Sequence, residues 1–316
     1  MQGIVIQSTG SFYDVMLDGG EIIVCRLKGK FRLDDKKQTN PVAVGDKVII
    51  EKDVRPGGEV EHNRDNFVIE EIHPRKNYII RSDTHKKEFK NIIASNIDQC
   101  VIIASLIQPR TSYGFIDRVL LTAEVYDIPA YVIFNKHDLY RKRENELLEE
   151  FMFSYNEAGY KSFSTSVIKN ENLDKLKALL QNKTTLLTGH SGVGKSTLVN
   201  TIEPQLNLKV KEISKHTEKG KHTTTFARMY KLSFGGFIID TPGIKEFGLM
   251  DIEAYEVGHY FPEIRKLIDK CKFNNCLHIN EEGCVVKQLL EEGKFSPSRY
   301  NSYVTIHEEI KAGRKW

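Results

Sequence analysis

The sequence predicts a multidomain α/β protein in three zones, and three observations carry that expectation. Short β-rich runs broken by turn residues fill positions 1–72, buried-strand and helix patterns alternate across 73–248, and a polar helical remainder, 249–316, crowds three cysteines and a histidine into fourteen residues. The chain has 316 residues, 40% of them hydrophobic, enough for about two domains and a third small unit. No run reaches the ~18 apolar residues of a membrane helix. The opening MQGIVIQSTG lacks the basic segment and apolar core of a secretory signal. A cytoplasmic location without a membrane partner is therefore expected.

In the first zone the runs GIVIQ, FYDVML, EIIVCRL, GDKVIIE and NFVIEEI are separated by turn chemistry such as Asp18-Gly19-Gly20. Some five short strands in about 70 residues predict a small barrel, with the oligonucleotide-binding (OB) fold as the leading candidate. Arg26, Lys28, Lys30 and Arg32 recur at every second residue, so a continuous strand would carry a basic face suited to RNA, unless Gly29 bends the chain and breaks the register. The zone holds ten Lys/Arg against thirteen Asp/Glu, so this expectation rests on local placement. Net charge over the whole chain is only +3 and does not by itself imply nucleic acid.

In the second zone QCVIIAS, AYVIFN, SFSTS, TTLLTG and FGGFIID read as strands. FIDRVLLTAEVYD, RKRENELLEEFMFSYNEAG, NLDKLKALLQ and KSTLVNTI read as helices. Their alternation predicts a parallel sheet covered by helices. Between a strand pattern and a helix pattern, GHSGVGKST at 189–197 matches G-x-x-x-x-G-K-[ST]. Backbone N–H groups across Gly189, His190, Ser191, Gly192, Val193 and Gly194 would cradle phosphate oxygens, aided by the helix N-terminus. Lys195 would reach the β- and γ-phosphates and Ser196 would ligate Mg²⁺, with Thr197 next to it as a further GTP-binding position. DTPG at 240–243 follows a strand, where Asp240 can support the magnesium shell and Gly243 can offer its N–H to a γ-phosphate. Between the two lies GKHTTT, 220–225, in which Thr224 would complete that shell.

The tetrapeptide NKHD, 135–138, ends a strand pattern and selects guanine over adenine. The Asp138 carboxylate accepts from guanine N1–H and the exocyclic amine, whereas adenine would leave the charge unpaired. Asn135 and Lys136 would brace the base and its loop, His137 is the remaining GTP-binding position of the tetrapeptide, and Ser164, Thr165 and Ser166 fit the loop that touches guanine O6. The parts of a GTPase domain are thus present in the order base reader, phosphate loop, first switch, second switch: a circular permutation, which a compact domain with adjacent termini tolerates. The permutation makes the second switch run directly into the third zone.

Cys271-x4-Cys276-x-His278-x5-Cys284 supplies three thiolates and an imidazole, a closed tetrahedral set that predicts one structural Zn²⁺. Cys25 and Cys100 stand apart, in apolar strand-like runs.

Taken together, the barrel, GHSGVGKST, GKHTTT, DTPG, NKHD and the cysteine-histidine spacing resemble the RsgA (YjeQ) family of bacterial GTPases that depend on the small ribosomal subunit, over nearly the whole chain. The resemblance implies a GTPase that binds the immature small subunit and its rRNA, assists late maturation, and leaves once GTP has become GDP and phosphate. A monomer is expected. Lys221 stands where the family's switch carries arginine. Ile244 follows DTPG where a Ras-type switch has its water-positioning glutamine, and the resemblance points instead to His222, giving His222, Lys195 and Thr224 as the catalytic set. Two other classes stand beside this one. A P-loop kinase of a small metabolite would account for the phosphate loop but not for NKHD. A nucleotide-gated RNA-binding scaffold would keep barrel and zinc module without turnover.

If Asp138 reads the base, Asp138→Asn weakens GTP binding and shifts preference to the xanthosine nucleotide, whose extra carbonyl accepts from the new amide. Direct titration with both nucleotides checks this, and unchanged GTP affinity would refute it.

Overall fold

Five strands close on themselves at the start of the chain. In this computed structural model, which describes residues 1–28, 41–52, 67–82, 90–208, 227–240 and 252–313, β1 (Gln2–Ser8) pairs antiparallel with both β2 (Tyr13–Leu17) and β4 (Lys47–Lys52). Strand β2 pairs with β3 (Ile22–Leu27), β4 pairs with β5 (Phe67–Ile72), and β3 runs parallel to β5. The circuit β1-β2-β3-β5-β4-β1 is the OB barrel the β-rich runs predict. Val5, Tyr13, Val15, Cys25, Val48, Ile50 and Ile69 fill it. A bulge between Val5 and Gln7 breaks strict alternation, so Val5 and Ile6 are both buried.

The basic face expected along 26–32 is described only at its start. Arg26 lies over the Phe12 ring, 5.1 Å from its centroid, and Lys28 is paired with Glu70, so one of the two described cations is already neutralised. Lys30 and Arg32 lie outside the described residues.

The described residues form two compact units, the first drawn from 1–99, 179–187 and 227–240, the second from 100–178, 188–208 and 252–313. In the first unit the barrel is joined by a hairpin, β6 (Tyr78–Ser82) with β7 (Lys90–Ser95), that the alternating pattern does not reveal. Asp46 is fully buried and fixes this region. Its carboxylate accepts twice from Arg75 at 2.7 Å, from Ser95 Oγ at 2.6 Å and from the Ala43 N–H at 2.8 Å. The same unit holds β11 (Thr184–Thr188) parallel to β13 (Phe237–Asp240), and β12 (Arg228–Lys231) antiparallel to β13 and touching β1 at Gln7.

The second unit contains the parallel set β8 (Gln99–Ala104), β9 (Ala130–Phe134) and β10 (Lys161–Ser164). Every residue of β8 is buried, as a strand covered on both faces requires. With them are α1 (Tyr113–Val125), α2 (Lys142–Ala158), α3 (Leu173–Leu180) and α4 (Lys195–Ile202), where the helix patterns predict helices. The polar last zone is helical: α5 (Pro262–Arg265), α6 (Val285–Glu291) and α7 (Pro297–Lys311). Among the described residues no helix is long and apolar enough to cross a membrane.

This last zone shares its core with α1. Leu121 packs among Val257, Phe261, Ile264, Val286, Tyr303 and Ile306. Asp117, Leu121 and Glu124 recur on one face of α1, the spacing of successive helical turns. Asp117 receives the Arg299 guanidinium at 2.6 Å, and Glu124 receives Arg265 at 3.1 Å. Beside them Arg118 grips Glu309 through both carboxylate oxygens. Arg299 is 2% exposed, bonds Glu263 at 2.6 Å as well, and lies over the rings of Tyr155, Tyr160 and Phe261. Burial pushes the Asp117 carboxyl up, and the facing guanidinium opposes that shift.

Cys25 and Cys100 are buried, and burial pushes each thiol up to about 12, so both are inert packing residues.

Removing Arg299 strands two carboxylates in an apolar setting. Arg299→Ala should cost roughly 3–5 kcal/mol, whereas Arg299→Met with Asp117→Leu, which removes the charge from both sides of the more buried of the two contacts, should recover much of the loss. Urea unfolding followed by protease resistance of the 252–313 segment tests the ordering.

Candidate active site and metal centre

The buried Asn135 side chain joins three separate loops. Its Nδ2 donates to the Val193 carbonyl in the phosphate loop at 2.9 Å, and its Oδ1 accepts from Thr165 Oγ1 at 3.1 Å. Its own carbonyl accepts from the Tyr140 hydroxyl at 2.8 Å, which in turn accepts from the Leu106 N–H. The Asn135 carboxamide and carbonyl are thus hydrogen-bonded in a buried position, which restricts the geometry.

The phosphate loop follows β11 and opens α4. Gly189 has φ +143, and a Cβ there would stand 2.1 Å from the Ile103 carbonyl; Gly194 has φ +96, and a Cβ there would stand 2.4 Å from Asn135 Nδ2. Both positions therefore require glycine, for backbone conformation and for space. Lys195 Nζ arches over the loop and donates to the carbonyls of Gly189 at 2.6 Å and His190 at 2.9 Å. Val193 is buried, Gly192 and Ser196 are half-buried, and Ser191 and Thr197 are exposed. The His190 ring packs on Phe115 of α1 with centroids 3.9 Å apart.

On the base side, Lys136 adopts a left-handed backbone with φ 66, turning the chain sharply at the end of β9, and its Nζ donates to the Gln108 carbonyl. Burial lowers its pKa. Asp138 is half-buried, and Ser166 Oγ donates to its Oδ1 at 2.6 Å, which aims the carboxylate. Ser164, Thr165 and Ser166 sit against 135–138, the His137 N–H donating to the Thr165 carbonyl at 3.1 Å. A carboxylate oriented in this way can accept two parallel N–H donors from a planar heterocycle.

Asp240 ends β13 in the other unit. His222, Thr224 and Gly243 lie outside the described residues. Sequence reasoning does not reach four residues that shape the site: Phe115, Tyr140, Asn145 and Glu171. None belongs to a motif, and each acts across a turn or from another element.

Cys271, Cys276, His278 and Cys284 come together, their four ligand atoms lying within 4.8 Å of one another. His278 Nδ1 is 3.5 Å from Cys271 Sγ and 3.4 Å from Cys284 Sγ. A tetrahedral S₃N site with ordinary zinc bond lengths places its donors about 3.5–3.8 Å apart, so the donor set fits such an ion. Glu281 clamps the turn by accepting from the N–H groups of Leu277, Ile279 and Asn280, and Tyr300 of α7 donates to the His278 carbonyl at 2.8 Å.

The RsgA GTPase family matches residues 72–250 and the RsgA N-terminal domain family matches residues 2–59. The small ribosomal subunit biogenesis GTPase RsgA of Flavobacterium psychrophilum is 48% identical over 98% of this chain and 93% of its own. The protein of the same name from Bacteroides fragilis is 44% identical over 99% and 98%. Among solved structures, YjeQ from Thermotoga maritima superposes with a TM-score of 0.77 at 32% identity, covering 98% of both chains. YloQ, a circularly permuted GTPase, superposes with a TM-score of 0.73 at 30% identity, covering 100% of this chain and 96% of its own.

Proposed function

This chain belongs to the RsgA family of circularly permuted GTPases, and from that membership we infer that it hydrolyses GTP to GDP and phosphate in the biogenesis of the small ribosomal subunit. The observation that carries the site assignment is the Asn135 hub, which ties a base-reading loop to a phosphate loop through Val193 and Thr165. In this reading Asp138 pairs with the guanine edge while 164–166 close over it. Residues 189–197 wrap the phosphates, with Lys195 leaving the loop carbonyls for the β- and γ-phosphates. Ser196, Thr224 and Asp240, all oxygen donors suited to a hard cation, would hold the magnesium ion. When bound, that ion neutralises charge on the phosphate oxygens. Gly243 offers its N–H to the γ-phosphate, and His222 orients the attacking water.

The substrate is GTP, and the macromolecular partner is the small subunit with its rRNA, met by the OB barrel. The protein works as a monomer in the cytoplasm, where these subunits assemble. The Cys271, Cys276, His278 and Cys284 cluster holds one structural zinc ion. Four protein donors leave no position for a substrate, so the metal stabilises fold and does not take part in hydrolysis.

GTP turnover with and without purified small subunits tests the reading, and no stimulation would overturn it. Positioning one water commonly contributes on the order of 10²-fold or more. His222→Ala should therefore keep GTP and subunit binding but lose most of the stimulated rate in single-turnover assays, whereas Lys195→Ala disrupts nucleotide handling itself. A His222→Ala rate within about twofold of the parent would assign the water to another group.

Cys276→Ser should lower bound zinc, measured by elemental analysis, and open the C-terminal segment to protease while sparing nucleotide binding. Native protein without zinc would refute the assignment.

A further inference from the structure

The base-reading loop is braced a second time, by a residue outside every motif. Glu171 lies where the chain returns after the 164–166 loop. Its backbone exchanges hydrogen bonds with Ser166, the Glu171 N–H donating at 2.8 Å and the Ser166 N–H donating at 3.3 Å. Its carboxylate reaches in two directions. Ser164 Oγ donates to Oε1 at 2.9 Å, and the His137 Nδ1 lies 2.9 Å from both carboxylate oxygens. On the far side of the ring, His137 Nε2 stands 3.0 Å from Asn145 Oδ1, on α2. The imidazole is thus pinned at both nitrogens, between helix α2 and the segment closing the 166–171 turn, and an edge-on contact with Tyr140, centroids 5.5 Å apart, fixes its plane.

His137 is flanked by Lys136 and Asp138. A ring held at both ends fixes the backbone between them, and Asp138 itself is aimed by Ser166, the partner of Glu171 across the turn. One carboxylate therefore controls both sides of the base slot: the 135–138 side through His137, and the 164–166 side through Ser164 and the Ser166 bridge. Partial burial raises the Glu171 pKa, but the contacts with His137 and Ser164 and the nearby Lys169 charge outweigh it and lower the pKa, in keeping with a carboxylate that works ionised.

We propose that Glu171 is a specificity-determining positioning residue for guanine, acting through His137 and Ser164 to hold the Asp138 carboxylate in register with the base. This rests on 135–138 being the base reader. Asp138 offers two acceptors, and guanine has two donors while hypoxanthine has only N1–H. Slack in the Asp138 position costs the two-point contact more than the one-point contact. Loss of the brace must therefore reduce discrimination as well as affinity.

The test measures dissociation constants for GDP and for inosine diphosphate with the full chain carrying Glu171→Ala, Glu171→Gln or Asp138→Asn, each with a melting temperature to establish folding. Glu171→Ala should weaken GDP about tenfold, the scale of losing a charge-assisted hydrogen bond in a half-buried setting, and shrink the GDP-over-IDP preference. Glu171→Gln keeps an acceptor for Ser164 and His137 and should fall between Ala and the parent. In single-turnover assays, the Glu171→Ala defect should appear in the GTP concentration needed for half-maximal rate and not in the rate at saturation. Weaker GDP binding with an unchanged GDP-over-IDP ratio would mean a general structural role and overturn the proposal. So would a GDP affinity within twofold of the parent for Glu171→Ala when Asp138→Asn is impaired, or Gln behaving like Ala. Unimpaired Asp138→Asn would instead remove the base-reader assignment, and the brace with it.

Discussion

A single buried carboxamide holds the nucleotide site in one frame. Asn135 and Val193 are 58 residues apart in sequence, and in a permuted domain no short connection keeps the base loop and the phosphate loop in register. The hydrogen bond between them, closed on the other side by Thr165, supplies that register. Its tolerance is small, because Gly194 leaves no room for a side chain between the loop and Asn135 Nδ2. Shifting either loop leaves a buried amide unpaired, at about 1–3 kcal/mol. The 135–138 loop and the 189–197 loop are therefore tied to each other through one side chain.

The C-terminal zone is held by a different kind of force. A small module with Val257, Phe261, Ile264 and Tyr303 at its centre borrows Leu121 from α1 to complete its core. The borrowed contact is made specific by charge: Asp117 is buried in that apolar surround, and Arg299 is the cation that reaches it. Because α1 also presents Phe115 to His190, the helix that anchors the C-terminal zone also lines the phosphate loop. The link between the two is a rigid helix within one unit, in addition to the covalent continuity from the second switch that the motif order suggests.

What was legible in the sequence was local. GHSGVGKST, NKHD and the cysteine-histidine spacing each compress a site into a few consecutive residues, and the site parts that are described come together as those spacings require. The barrel was legible as five β-rich runs, but its closure depends on the parallel pairing of β3 with β5, two strands separated by β4 in the chain, and no pattern within either strand encodes a partner. Strand β12, RMYK, is too short to show a period, and the 78–95 hairpin lies in a stretch whose charges mask its apolar alternation. Of the basic spacing only Arg26 and Lys28 fall among the described residues, and Glu70 arrives from β5 to pair with Lys28. Glu171 and Phe115 were invisible for the same reason: their meaning lies wholly in what folding brings beside them.

The distance in sequence between Asp117 and Arg299, 182 residues, has a meaning for biosynthesis. A chain made from its N-terminus completes α1, the base reader and the phosphate loop well before the last helix exists. Until Arg299 arrives, Asp117 faces water or remains unsettled, since a lone carboxylate does not enter an apolar core without a counter-charge. Helix α1, whose first turn supports the phosphate loop, therefore takes its final seat only when the chain is nearly finished. A truncated chain would carry the nucleotide motifs without that seat, so the site's surroundings depend on the last helix as well as on the motifs.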